Sequence, residues 1–169
     1  MSPRDTVAIG VALLACLFDL RSRRIPNALT FGAAFAALAF AAAHGLSTFE
    51  SSILGCLLGL ALWMPVYALG GMGAGDVKLL AAIGAWLGPL GAVHVALYGA
   101  IAGGAMALVV ALAHGYFRQA WSNVNLLVTH WYVAGFSPQD QLTLDNSTAP
   151  KLAYAMPTLV GTAIAVWFR

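Results

Sequence analysis

Six acidic residues occur among 169, and only Asp19 and Asp76 are joined to long apolar runs. Asp5, Glu50, Asp140 and Asp145 fall in expected tails and loops. A carboxylate at the centre of a hydrocarbon layer costs about 3 kcal/mol, so one held beside such a run is usually there for a function. Two such groups brought together share a proton, so that one acts as general base on water while the other protonates a carbonyl oxygen. That chemistry hydrolyses a peptide bond with no metal and no covalent intermediate, and no cofactor is expected. The competing use is local pairing: Arg23 stands one helical turn after Asp19, and a basic residue shares the loop of Asp76.

The run Gly70-Gly71-Met72-Gly73-Ala74-Gly75 leads into Asp76. Glycines let a second backbone approach closely, so an extended substrate has room against Gly73 and Gly75. A phosphate site is disfavoured, because the full P-loop pattern is absent and a carboxylate at the helix start repels the anion. Other hydrolytic schemes lack their residues. There is no HExxH and no GxSxG, and His94 and His114 fall at opposite ends of one expected helix, about 30 Å apart. Cys16 and Cys56 lie singly in apolar blocks, without a CxxC pair.

The elements that must position the two aspartates are read from composition. The chain is 61% apolar and 8% charged, whereas a soluble domain carries about 25% charged residues. Apolar blocks run over 6–20, 28–43, 52–69, 77–87, 92–114 and 152–168. The fold class expected is therefore all-α, a bundle of about six transmembrane helices in one membrane-embedded unit over 1–169. The first helix is expected to continue through Arg24 until Pro26 stops it, leaving Asp19 near the membrane surface. The first 20 residues are not read as a cleaved signal, because Arg21, Arg23 and Arg24 follow the apolar stretch instead of preceding it. The fourth block is short and ends abruptly at Gly88-Pro89-Leu90-Gly91, while Gly55 and Gly59 form a GxxxG pair for close helix packing.

With the N-terminus outside, Arg21, Arg23, Arg24, Lys78, Arg118 and Lys151 face the cytoplasm, and only Arg4 and Arg169 face out. Asp19 and Asp76 then share the cytoplasmic face. The segment 115–150 is polar but holds Trp121, Leu126, Trp131 and Phe136, so part of it is expected to lie at the interface as an amphipathic helix. Its Asn146-Ser147-Thr148 triplet carries no weight in a cytoplasmic loop. Asp76 stands at a helix start and Asp19 toward a helix end, so the helix dipole casts Asp76 as base and Asp19 as acid.

Phe18-Asp19-Leu20-Arg21-Ser22-Arg23-Arg24-Ile25-Pro26-Asn27 resembles the first aspartate motif of the type IV prepilin peptidases, membrane aspartic peptidases of the GxGD class. Gly73-Ala74-Gly75-Asp76-Val77-Lys78-Leu79 resembles their second, and Tyr154-Ala155-Met156-Pro157 with Gly161 is similar to their last-helix pattern. The resemblance implies an aspartic endopeptidase of the inner membrane with Asp19 and Asp76 catalytic, and with Gly73, Gly75, Lys78, Pro26 and Asn27 near the substrate. Its substrate would be the basic leader of prepilins or pseudopilins, cut at the cytoplasmic face. The form it resembles is the short, stand-alone one of tight-adherence pilus systems, without the methyltransferase domain. Lipid is the other expected partner, and nucleic acid is not one. A small proton- or cation-coupled transporter subunit is the alternative for paired intramembrane acids. It predicts symmetry between halves and leaves the glycine run and the Ile25-Pro26-Asn27 turn unexplained.

Overall fold

A computed structural model describes residues 1–135 and 153–168 of the chain. Among these residues every regular element is helical: α1 (Pro3–Ser22), α2 (Asn27–Ala43), α3 (Leu46–Ala68), α4 (Ala74–Ala113), α5 (Phe117–Ala134) and α6 (Ala155–Trp167). Asp140, Asp145, the Asn146-Ser147-Thr148 triplet, Lys151 and Arg169 lie outside the described residues.

The fourth and fifth apolar blocks are two arms of one element. α4 breaks at Gly88, whose φ of 76° and ψ of −178° belong to a region that residues with a Cβ scarcely enter. Pro89 opens the second arm, where a missing N–H has no helical partner to lose. The chain then doubles back. Ala92 returns beside Gly84, so that a methyl placed on Gly84 would sit 3.1 Å from the Ala92 Cβ. Seven residues later Gly99 lies against Trp63 of α3.

Small residues set how near the helices come. Gly55 and Gly59 press α3 onto the first arm, and a methyl on Gly59 would fall 2.7 Å from the Leu80 carbonyl oxygen. The GxxxG expectation is met in that contact. On the other side, α6 runs antiparallel to the second arm, with Gly161 against Val95 and Gly99, and Tyr154 against Gly103. Leu79, Leu80, Ile83, Val95, Thr158 and Thr162 are fully enclosed between them. The two threonines satisfy their hydroxyls within α6, on the carbonyls of Tyr154 and Thr158. Trp86 donates to the Ala33 carbonyl at 3.0 Å and Ser52 to that of Ala85 at 2.7 Å, tying α2 and α3 to the first arm.

The outer surface is apolar. Leu13, Leu17, Phe35, Leu57, Leu97 and Ile101 all point away from the bundle and are exposed. Such a surface suits lipid, where interior packing rests on close backbone approach and not on burying grease. α3 and α4 are each long and apolar enough to cross a membrane, and α2 and α6 are shorter apolar helices. The protein is an all-α membrane bundle.

Three local expectations are corrected. α1 ends at Ser22 and does not run on to Arg24, because Arg23 turns left-handed (φ 54°, ψ 28°) and its N–H closes on the Asp19 carbonyl at 2.8 Å. Asp5 is no tail residue: it sits in the first turn of α1 and completes a capping box with Ser2. Glu50 lies inside α3 and not in a loop.

Candidate active site

Asp19 and Asp76 come from opposite directions to one end of the bundle. Asp19 stands in the last turn of α1 and is 9% exposed; Asp76 stands in the first turn of α4 and is 8% exposed. The two carboxyl groups act on each other electrostatically, and Asp76 acts likewise on Tyr154. The pair is thus built from segments far apart in sequence.

The local sequence explains why each aspartate faces inward. Gly73 caps α4, its carbonyl accepting the Asp76 N–H at 3.2 Å, and a methyl on Gly73 would lie 3.2 Å from Asp76 Oδ2. The other oxygen, Oδ1, is buried and accepts no hydrogen bond from the described residues. In native proteins a buried oxygen of this kind calls for an explanation, and a reactive role is one. Asp19 is held differently: the Ala155 N–H, at the start of α6, donates to its Oδ2 at 3.2 Å.

That bond reduces the expected asymmetry of the pair. Asp76 lies in the first turn of α4, and Asp19 lies between the last turn of α1 and the N-terminus of α6. The positive end of α6 opposes the negative end of α1 at Asp19, so the dipole distinguishes base from acid less than α1 and α4 alone would.

The other residues named from the sequence fall around the pair. Ile25, Pro26 and Asn27 form the turn between α1 and α2, with Pro26 extended (φ −62°, ψ 134°) as the N-cap of α2. Lys78 donates to Asn27 Oδ1 at 2.9 Å and lies over the Phe31 ring, 5.3 Å from its centroid. Gly75 faces Ile25, and a methyl there would stand 3.2 Å from the Ile25 Cβ. Gly75, Lys78, Ile25 and Asn27 therefore lock the two aspartate-bearing segments together. Gly73 borders the Asp76 carboxylate directly. Sequence reasoning missed Tyr154 and Ala155 as neighbours of the pair, although the motif that contains them had been noticed.

On the aspartate side, Arg21, Lys78 and Arg118 lie near the ends of α1, α4 and α5, and Arg23 and Arg24 just follow α1, while Arg4 sits at the opposite end over Phe40. A hollow of about 780 Å³ also lies at that opposite end, between the start of α1 and the end of α6. It is lined by Asp5 and by neither Asp19 nor Asp76.

The model of the type IV leader peptidase family matches residues 6–108. Among curated relatives named prepilin leader peptidase/N-methyltransferase, the protein of Burkholderia pseudomallei strain 1026b is 35% identical over 106 residues, covering 58% of this chain and 34% of its own length. That of Aeromonas hydrophila is 31% identical over 150 residues, 73% of this chain and 50% of its own. That of Neisseria gonorrhoeae is 34% identical over 137 residues, 73% and 47%. The chain thus spans about a third to a half of the length of the relatives it matches. No solved structure matches it.

Proposed function

Because the chain belongs to the type IV leader peptidase family, we propose that it is an aspartic endopeptidase that removes the leader of type IV-like prepilins, those of tight-adherence systems included. The observation that carries this reading is the buried pair, Asp19 and Asp76, with an oxygen of Asp76 left open for a reacting group. In the cycle, one carboxylate takes a proton from the attacking water while the other gives one to the scissile carbonyl oxygen. The first carboxylate then passes its proton to the leaving amine while the second takes one back from the diol hydroxyl as the carbonyl reforms and the C–N bond breaks. Gly73 borders the site and leaves space for an extended peptide backbone. Gly75, Lys78, Pro26 and Asn27 act by holding the Asp19 and Asp76 segments in register.

The reading places the protein in the inner membrane as a multi-pass chain with its N-terminus outside and the pair toward the cytoplasm. The bias of positive residues to the aspartate end supports that orientation. α5 fits an interfacial position, since Phe117, Trp121, Val124 and Val128 recur along one exposed face. No observation favours a transporter. The direct test is co-expression with a prepilin and analysis of its size: wild type shortens it, and Asp19→Asn and Asp76→Asn do not. Impermeant thiol labelling of a cysteine-free background tests the orientation: Ser47→Cys should label in intact cells and Ser22→Cys should not. The reverse pattern would invert the topology.

A further inference from the structure

α6 lies outside the 6–108 segment that the family model covers, yet its first residue touches Asp19. An α-helix leaves its first N–H groups without partners in the helix. Here Met156 N–H turns to the Ala153 carbonyl and Thr158 N–H to that of Tyr154, whereas the Ala155 N–H points at Asp19 Oδ2. Ala155 is fully buried, so water does not compete for that donor.

The position of α6 is set by contacts that do not involve Asp19. Gly161 seats it on Val95 and Gly99 so closely that a methyl would lie 2.8 Å from the Val95 carbonyl oxygen. Tyr154 fixes its start: the ring meets Trp63 edge-on at 5.7 Å, and the hydroxyl lies against Gly103, 3.0 Å from where a Cβ would be. Helix α6 is thus a closely packed arm whose spare donor reaches one member of the pair, while Asp76 keeps a buried oxygen without a hydrogen-bond partner among the described residues.

We propose that the start of α6 is a positioning part of the catalytic centre, in which the Ala155 N–H orients the Asp19 carboxylate against Asp76 and Tyr154 sets the height of that donor. The inference rests on the peptidase reading. Anchoring one oxygen of Asp19 leaves the other to share a proton with Asp76, and the contact with α6 defines which oxygen that is.

The test removes the donor and also weakens the Tyr154 carbonyl, which becomes an ester, as acceptor for the Thr158 N–H and hydroxyl. Ala155 is replaced by L-lactic acid through suppressor-tRNA translation into lipid nanodiscs, which exchanges the N–H for an ester oxygen and leaves the side chain unchanged. Cleavage of a prepilin substrate is then measured over a range of concentrations. A charge-assisted hydrogen bond of this kind corresponds to a loss in kcat of about tenfold or more, with KM within about twofold. Two proline variants bracket the result: Ala155→Pro also loses the donor, whereas Met156→Pro strains the same turn but retains it, and should keep kcat near wild type. Normal kcat in the ester variant, or equal losses in both proline variants with KM raised, overturns the proposal. Should the proline variants fail to insert, the ester variant decides. Wild-type cleavage that Asp19→Asn abolishes sustains the peptidase reading whatever Ala155 does, and absence of wild-type cleavage defeats that reading first.

Discussion

The two ends of α1 each bury an aspartate to the same degree, Asp5 and Asp19 both at 9% exposure. Asp5 turns back on its own helix: its Oδ2 accepts the Ser2 N–H at 2.7 Å, and its own N–H donates to Ser2 Oγ at 3.3 Å. Asp19 turns across the bundle, to the Ala155 N–H and toward Asp76. Equal burial therefore serves two ends. The first carboxylate finishes a helix, and the second joins three segments of chain. The bonds described differ in reach: those between Asp5 and Ser2 span three residues, and that between Asp19 and Ala155 spans the bundle.

The comparison breaks most sharply in the pair itself. Asp19→Asn and Asp76→Asn should each reduce prepilin processing about 10³-fold, the scale of general acid–base assistance, while the protein still inserts and extracts as wild type. Quantifying mature and precursor pilin by electrophoresis checks both. An Asn variant that processes at the normal rate removes that residue from the mechanism and makes the two ends of α1 equivalent.

Next in size is the contact between the two aspartate segments. Gly75→Val must displace Ile25, because even a methyl would stand 3.2 Å from its Cβ. We expect a loss in kcat/KM of about 100-fold, on the scale seen when reacting groups move by about an ångström. Gly10→Val, on α1 where nothing lies within 4 Å of an added Cβ, is the matched control and should be silent. A smaller effect attends the Lys78–Asn27 bond. Lys78→Met and Asn27→Leu should each cost about tenfold in rate, and the double variant little more than either, because residues in one hydrogen-bonded contact are not additive. Fully additive losses would mean that each side chain acts on the substrate by itself.

Much of this arrangement was legible from residue types. The end of the bundle shared by Asp19 and Asp76, the GxxxG contact of Gly55 and Gly59, and the break at Gly88-Pro89 rest on local rules: charge beside apolar runs, small residues at helical spacing, and glycine with proline as a stop. An amphipathic helix within 115–150 was visible in its apolar residues, Trp121, Leu126 and Trp131 among them. The Ala155 N–H was not legible as a partner of Asp19, since a backbone donor has no sequence signature and its place depends on how Gly161 seats α6 on Gly99. The end of α1 was misjudged because Arg23, a good helix former, adopts a left-handed cap that its propensity argues against. The cap at Asp5 did have a signal, Ser2 three residues before it with Pro3 at the first helical position, which marks a helix start and not a tail.

That capping box gives the smallest and most discriminating prediction. Asp5→Ala removes the acceptor for the Ser2 N–H and takes a negative charge from the positive end of α1. Losing half of a capping box costs about 1 kcal/mol, a figure set by local hydrogen bonding. In a protein of this size such a loss lowers the Tm by a few degrees. Asp5 lies at the far end of a helix of 20 residues from the pair, about 20 Å from Asp19 at 1.5 Å per residue. Fraying the first turn should therefore leave the last turn in place, and prepilin processing should stay within twofold of wild type while thermal unfolding in detergent shifts downward. Ser2→Ala, which deletes the reciprocal half of the box, should act in the same sense, and the double variant should cost less than the sum because both remove one motif. Loss of processing in Asp5→Ala without loss of stability would show that the outer end of α1 is coupled to the pair, and the distinction between the two buried aspartates would then fail.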